Sequence, residues 1–313
     1  MKAPSVKISH HYSPLAGILF ILLLTLPASA IWKPMAAMPA ARSNAAVETI
    51  NGIIYVAGGS NAGGTSTLQA FNPTTNTWTN LSSMPLTLYQ GDGAGVINSQ
   101  LYVAGGWNGP LPTTTLLRYD PPTNTWSYLP SIPHFSACGG TAVINSKLYV
   151  TTACNGYSGY SNYLDVFDPA TNAWTSLPNS ISAHAGPAIG VINGKLYVAG
   201  GLNGGGTITG AVEVYDPEGN TWSALASMPT AVTNAASVAL DGLLYVFGGN
   251  NGGDLAIVQV YDPHKNKWKT LPTSMPAALS SSSAVAVYGI AFVEGGDNGG
   301  TTNQYSPFNP SIP

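Results

Sequence analysis

Charge is what this 313-residue chain has least of: Asp, Glu, Lys and Arg make up 7% of it, with a net charge of −3. No cluster of Lys or Arg forms a basic patch, which excludes nucleic acid as an expected partner. Histidine is nearly as scarce. Beyond the first thirty residues only His134, His184 and His264 remain, at no metal-ligand spacing, so neither a metal nor a cofactor is expected. No Ser-His-Asp set, paired-carboxylate motif or phosphate-binding loop stands out. There are only two cysteines, Cys138 and Cys154. The 36 Gly and 24 Pro leave little room for helix and suit many short strands joined by tight turns.

Long hydrophobic runs are absent but for Leu15 to Leu26. Twelve residues are too few to span a bilayer, which needs about 20. Lys2 and Lys7 precede the run and Ala28-Ser29-Ala30 follows it. A basic start, an apolar middle and a small-residue site are the pattern of a cleaved secretory leader over residues 1–30. The mature chain is then expected to be secreted or periplasmic, without a membrane span, carrying 8 basic and 13 acidic residues.

What the chain has in abundance is repetition. Trp78, Trp126, Trp174 and Trp222 stand 48 residues apart; Trp268 follows and Trp32 precedes at 46. The segments before them read FNPTTNTW, YDPPTNTW, FDPATNAW, YDPEGNTW and YDPHKNKW. In the first, Asn-Pro opens the turn; in the others Asp-Pro does. Pro fixes φ there and the Asx side chain accepts from nearby N–H groups. A Gly pair recurs after strands such as LYVAGG, at Gly58-Gly59, Gly105-Gly106, Gly200-Gly201, Gly248-Gly249 and Gly295-Gly296, and Thr152-Ala153 replaces it once. A fixed period of this length means a solenoid, propeller or array. Double Gly, Tyr-Asp-Pro and Trp at this spacing resemble the kelch repeat over all of residues 31–313.

That resemblance implies an all-β, six-bladed kelch β-propeller with four antiparallel strands per blade. In the fourth repeat the strands are expected at Ala188–Ile192, Lys195–Ala199 and Ala211–Tyr215, with the last opening at Trp222. Asn193-Gly194 is the strongest short hairpin signal. Asn51-Gly52, Asn98-Ser99, Asn145-Ser146, Asp241-Gly242 and Tyr288-Gly289 hold the same place in the other repeats. The last repeat has no Trp strand, and Trp32 has nothing before it. The N-terminal strand is therefore expected to complete the last blade and close the ring. The six Trp residues are read as buried structural anchors.

Strand alternation puts the loops after the Gly pairs on the same face as the loops leading into each blade, and kelch proteins bind ligands there. An Asn stands second after the Gly pair, or its replacement, in every repeat: Asn61, Asn108, Asn155, Asn203, Asn251 and Asn298. Each serves either as a turn former or as part of an amide ring at the channel mouth. Blades two to four add Tyr89, Trp107, His134, Phe135, Tyr157, Tyr160 and His184, whereas Arg42, Asp254 and Asp297 are the charged groups elsewhere. Trp107 lies outside the repeat pattern, so the fold does not demand it. Aromatics beside amides suit stacking and hydrogen bonding to a sugar or a peptide, or else pack the loops against one another. Kelch proteins often carry Arg on the lead-in loops; only Arg42 matches here, which weighs against strongly acidic partners. Glu294 stands where other repeats have Ala, Thr or Phe; it should be partly buried and need a partner, with Arg42 one candidate.

The expected function is a monomeric exported binding protein without catalysis, its ligand a carbohydrate or a protein. Two alternatives stand beside it. Periplasmic six-bladed kelch proteins that interconvert sialic acid anomers are similar in size and leader, and such chemistry needs only one or two acid-base groups. A scaffold for protein partners is the other. A kelch-related oxidase family holds copper with two His and a Cys-modified Tyr; His264 falls on the opposite face, so that chemistry has no basis here. Export favours a disulfide between Cys138 and Cys154. Around the Asn145-Ser146 turn, however, Cys138 would face Ala153, one residue out of register. A bulge at Gly139-Gly140 or Thr152-Ala153 would be needed.

Overall fold

The computed structural model describes residues 32–61, 63–89, 93–154, 159–297 and 305–308. The fold is all-β. Five four-stranded antiparallel sheets span Ala46–Leu81, Gly93–Leu129, Gly140–Leu177, Ala188–Ala224 and Ala236–Thr270. A sixth sheet has three strands, Ser283–Val287, Ile290–Glu294 and Tyr305–Phe308. The innermost strand of each sheet packs on that of the next, and Ser283–Val287 packs on Ala46–Ile50, so the inner strands form a closed ring. This is a β-propeller.

Five complete blades, rather than six, correct the expected strand count. The N-terminal segment does not form a strand among the described residues: Trp32 makes one antiparallel bridge with Phe308. Two prolines explain the short pairing. Pro34 and Pro307 both lie where a ladder would extend beyond Trp32 and Phe308, and neither has an N–H to donate. Trp32 still packs on Phe308 and Phe247, with ring centroids 5.1 and 5.9 Å away.

Within each blade the local chemistry is repeated. Both residues of every inner hairpin turn have positive φ, from Asn51 at 52° and Gly52 at 78° to Tyr288 at 51° and Gly289 at 78°, as a type I′ turn requires. In the outer turn, Asn76, Asn124, Asn172, Asn220 and Asn266 are left-handed, and where the aromatic is Tyr its hydroxyl donates to that Asn, as Tyr119 does to Asn124 at 2.7 Å. The outer Trp rings are half-buried, not fully enclosed as expected, because they sit on the outermost strand. Each of five donates its Nε1–H to the segment leaving the preceding blade: Trp78 to Ala36, Trp126 to Ser82, Trp174 to Pro130, Trp222 to Pro178 and Trp268 to Ala226. The Nε1 of Trp32 has no partner among the described residues. In the fourth blade the third strand runs Val212–Asp216 and the fourth opens at Thr221, each within one residue of expectation.

The hydrophobic cores lie between blades. One joins Ile54, Val56 and Phe71 of the first blade to Val285, Val287 and Phe292 of the last sheet, with Met38 sealing it. The Gly pairs let neighbouring loops approach this closely. At Gly200, with φ 71°, an added Cβ would fall 2.5 Å from the Val232 carbonyl.

Candidate functional site

The loops leading into the blades are tied together around the axis by left-handed residues. Asn44 donates its N–H to the Ser281 carbonyl, Ser281 to Asn234, Asn234 to Gly186 and Gly186 to Cys138, at 2.7–2.8 Å. Their φ values are 53°, 55°, 53°, 68° and 60° for Asn44, Ser281, Asn234, Gly186 and Cys138. Inside this collar runs a channel of about 480 Å³ walled by the six inner strands.

Cys138 and Cys154 form a disulfide with Cα atoms 5.5 Å apart. The register conflict is resolved by backbone conformation. The first ladder of this blade ends at Gly140–Thr151, and Cys138, left-handed, is already off it. Gly139 makes the exit possible, since a Cβ there would fall 1.6 Å from the Thr151 carbonyl. On the other ladder a register shift separates Thr152 from Cys154, where the Gly pair is missing.

The lead-in loops also insert a residue beneath each Gly pair. Leu88, Val232 and Leu279 fill that slot in three blades and join the cores. Arg42, Ser136 and His184 fill it in the others, and being polar they must be satisfied. Arg42 donates to the Gly58 carbonyl at 3.1 Å and to Gln69 at 2.6 Å. Ser136 meets Thr152 at 3.0 Å. The His184 Nδ1 donates to the Gly200 carbonyl at 2.7 Å, while Nε2 faces the Glu213 carboxylate at 3.1 Å. Ser182 Oγ lies 3.2 Å from the same Nε2, so the ring is held at both nitrogens against the Glu213 carboxylate. Burial pushes the Glu213 carboxyl up, but His184, Ser182 and the Ile181 N–H outweigh it and hold it below its ordinary value. Arg42 and His184, 2% and 5% exposed, thus anchor loops and present nothing to the surface.

The repeated polar position on the third strand was not singled out in the sequence. It carries Gln69, Asp165, Glu213 and Gln259, each tying down its own lead-in loop. In the fourth and fifth blades the loop answers with backbone N–H groups of Ile181, Ser182 and Thr230. In the third it answers with a side chain. Asp165, fully buried, accepts from His134 Nδ1 at 2.8 Å and from Ser176 Oγ at 2.6 Å. The His134 ring lies flat on Tyr163, 3.9 Å between centroids and 9° between planes, with a third of its side chain exposed. The carboxylate holds the ring through Nδ1 and so fixes its orientation.

Next to it, the long loop of the second blade folds into its own hairpin, Trp107–Asn108 against Leu111–Pro112. Tyr89 stacks on Trp107 at 6.5 Å and 24°, and its hydroxyl donates to the Gly109 carbonyl. Thr113 bridges to Ser136, which brings this hairpin against the loop carrying Phe135. Phe135 and Leu111 are 44% and 47% exposed. Asn108 and Asn251 are exposed on their loops. Asn203 spends its side chain on its own turn, accepting from the Gly205 and Thr207 N–H groups. Asn155, Tyr157 and Asn298 lie outside the described residues. Among the described residues no group of three or more His, Cys, Asp and Glu is placed to hold a metal, and no helix is long and apolar enough to cross a membrane.

Glu294 is 2% exposed and faces the seam between the last sheet and the first blade. Among the described residues neither carboxyl oxygen has a hydrogen-bond partner, and Arg42 Nε lacks one too. Burial raises the Glu294 carboxyl to about 8, with Arg42 pulling the other way. The same burial lowers the Arg42 guanidinium. Arg42 is thus the electrostatic neighbour expected, without a direct bond.

A propeller built from Gly pairs, Tyr-Asp-Pro turns and outer Trp anchors is a kelch-type architecture. The family model for the KLHDC2/KLHL20/DRC7 kelch-repeats domain matches residues 28–188 and 93–296, and the chain belongs to the kelch-repeat family. A solved structure described as "Structure of YjhT" superposes with a TM-score of 0.79 at 20% identity, covering 88% of this chain and 97% of that one. At that identity the likeness concerns the fold. No curated protein matches.

Proposed function

We propose that this chain is an exported kelch propeller that binds a carbohydrate or a protein segment, without catalysis, on the loop face of the second to fourth blades. The observation that carries this reading is the Tyr89–Trp107 pair. It stands on a hairpin that the repeat does not require, with Phe135 and Leu111 exposed beside it. An aromatic pair gives a flat apolar surface, and exposed Asn108 supplies an amide for orientation. The Trp107→Ala variant, titrated against glycan and peptide arrays, is expected to bind roughly tenfold more weakly, the order of a lost aromatic contact. Its melting temperature should barely move. A large drop in melting temperature with binding unchanged makes Trp107 a packing residue and overturns the assignment.

Export rests on the leader pattern of residues 1–30, and the Cys138–Cys154 disulfide suits an oxidising compartment. An intact mass of the expressed protein that still includes residues 1–30 contradicts it. We read the three-stranded sheet with Trp32 bridged to it as a sixth blade closed by residues 32–39, in a monomer.

A second reading, exchange of sugar anomers, is favoured by one feature: the Ser176–Asp165–His134 chain, which orients a partly exposed imidazole. NMR exchange measurements over a panel of reducing sugars, with His134→Gln as control, decide between binding and turnover.

A further inference from the structure

The propeller channel contains a carboxyl group that no cation among the described residues answers. Glu48 sits at the middle of the inner strand Ala46–Ile50 and lines the channel. The equivalent middle residues of the other inner strands are Gly95, Ala142, Gly190, Val238 and Val285, so no other blade puts a charge at this level. The strands packed on Ala46–Ile50 are Ile53–Ala57, Gly93–Ile97, Gln100–Ala104 and Ser283–Val287. Their only titratable side chains are Tyr55, directly opposite Glu48 in the ladder, and Tyr102. None carries a cation. Among the described residues the carboxylate accepts one hydrogen bond, from the N–H of the next residue, Thr49, at 3.2 Å.

A carboxylate taken out of water without a counterion is costly, and such groups are retained where they pair with something. The environment tells the same story: burial lifts the Glu48 carboxyl to about 7, with only the Thr49 N–H opposing. Glu48 remains partly exposed, and from an innermost strand the space it borders is the channel. At about 480 Å³ that space has the size of a small-molecule site. Its lining is mixed: Val47, Val96 and Val285 of the first blade and its two neighbours stand among Thr49, Thr141, Ser237 and Ser283 and the inner-strand backbones. At the collar end Ser282 adds a buried hydroxyl with no partner.

We propose that the channel binds a small organic ammonium ion, its charged nitrogen paired with the Glu48 carboxylate and its body lying along the small and apolar residues of the inner strands. A bare divalent cation fits the donor set less well, since calcium takes six to eight oxygens and one carboxylate offers two. The site is separate from the loop-face aromatics and does not depend on their role.

The experiment uses the wild-type protein and Glu48→Gln, titrated with cyclohexylammonium chloride, cyclohexanol and calcium chloride, with the Glu48 carboxyl carbon followed by NMR. Wild type is expected to bind the ammonium ion, the affinity rising about tenfold per pH unit up to about pH 7 and levelling off above it. Saturation should lower the titration midpoint of Glu48, a readout that does not need the variant to fold. Glu48→Gln should bind the ion at least tenfold more weakly. Absence of ammonium binding by wild type, equal binding by Glu48→Gln, equally tight binding of cyclohexanol, or a Glu48 titration moved only by calcium each overturns the proposal.

Discussion

Replacing Glu294 by Gln should change the pH dependence of stability in a direction the seam dictates. Glu294 replaces the small or apolar residues Ala57, Ala104, Ala199 and Phe247 of the equivalent strands, and it is buried without a hydrogen bond. Its carboxyl is raised from the ordinary 4.5 to about 8 in the folded protein. A raised carboxyl binds its proton more tightly in the folded state. Its contribution to stability is therefore complete below about pH 4.5 and is lost as pH rises toward 8. At about 1.36 kcal/mol per pH unit, the loss between pH 5 and pH 9 comes to about 4 kcal/mol. Glu48, raised to about 7, adds a loss of the same sign over a narrower window. Glutamine keeps the shape and does not titrate, so the difference between the two proteins isolates the Glu294 part. Chemical denaturation from pH 5 to pH 9 measures it. Wild type should lose about 4 kcal/mol more than Glu294→Gln across that range. Equal slopes would refute the account and place the carboxylate in contact with an ion or water that holds it charged.

Other perturbations follow from the same contacts. Arg42→Leu with Glu294→Ala gives the seam the apolar residues used at equivalent positions; the double variant should be at least as stable as wild type, while Glu294→Ala alone leaves Arg42 buried and charged, an ordering that urea melts at pH 9 can test. His184→Ala removes one partner of a buried pair and should cost about 3–5 kcal/mol, read by the same melts at pH 7. Because the Glu213 carboxyl is depressed, its stabilising contribution is present above the ordinary 4.5 and fades as pH falls below it; a His184→Ala penalty independent of acid would argue against the ion pair. Replacing Cys138 and Cys154 by Ser should cost about 3 kcal/mol by loop-entropy arithmetic for the enclosed segment, visible as a lower melting temperature that reductant no longer shifts. Deleting residues 32–38 removes Met38 from the seam core and Trp32 from Phe308; an unchanged melting temperature would contradict closure by this segment.

Much of the architecture is local chemistry, and the sequence determines it alone. Asn-Gly and its variants demand positive φ at two successive residues, so the inner hairpins sit where they were read. The Tyr-Asp-Pro…Asn-x-Trp turns, the period near 48 and the placing of strands in each repeat follow for the same reason. The export context made a cystine reasonable, but register reasoning treated Cys138 as a strand residue. Only the folded backbone puts it in the left-handed collar, where strand-face rules do not apply.

The fate of each loop side chain was decided by tertiary packing. Arg42 and His184 read as exposed ligands because polar residues on loops usually are; the slot beneath the Gly pairs draws them inward, as it does Leu88 and Val232. His134 stays at the surface because Asp165 catches only one of its nitrogens. The seam depends on residues far apart in the chain: Ser283 Oγ donates to the Ala45 carbonyl across 238 positions, and Glu294 meets Arg42 in the same junction. No local pattern specifies such a meeting. It exists because the inner strands close into a ring, and the closing contact falls wherever the first and last repeats are brought side by side.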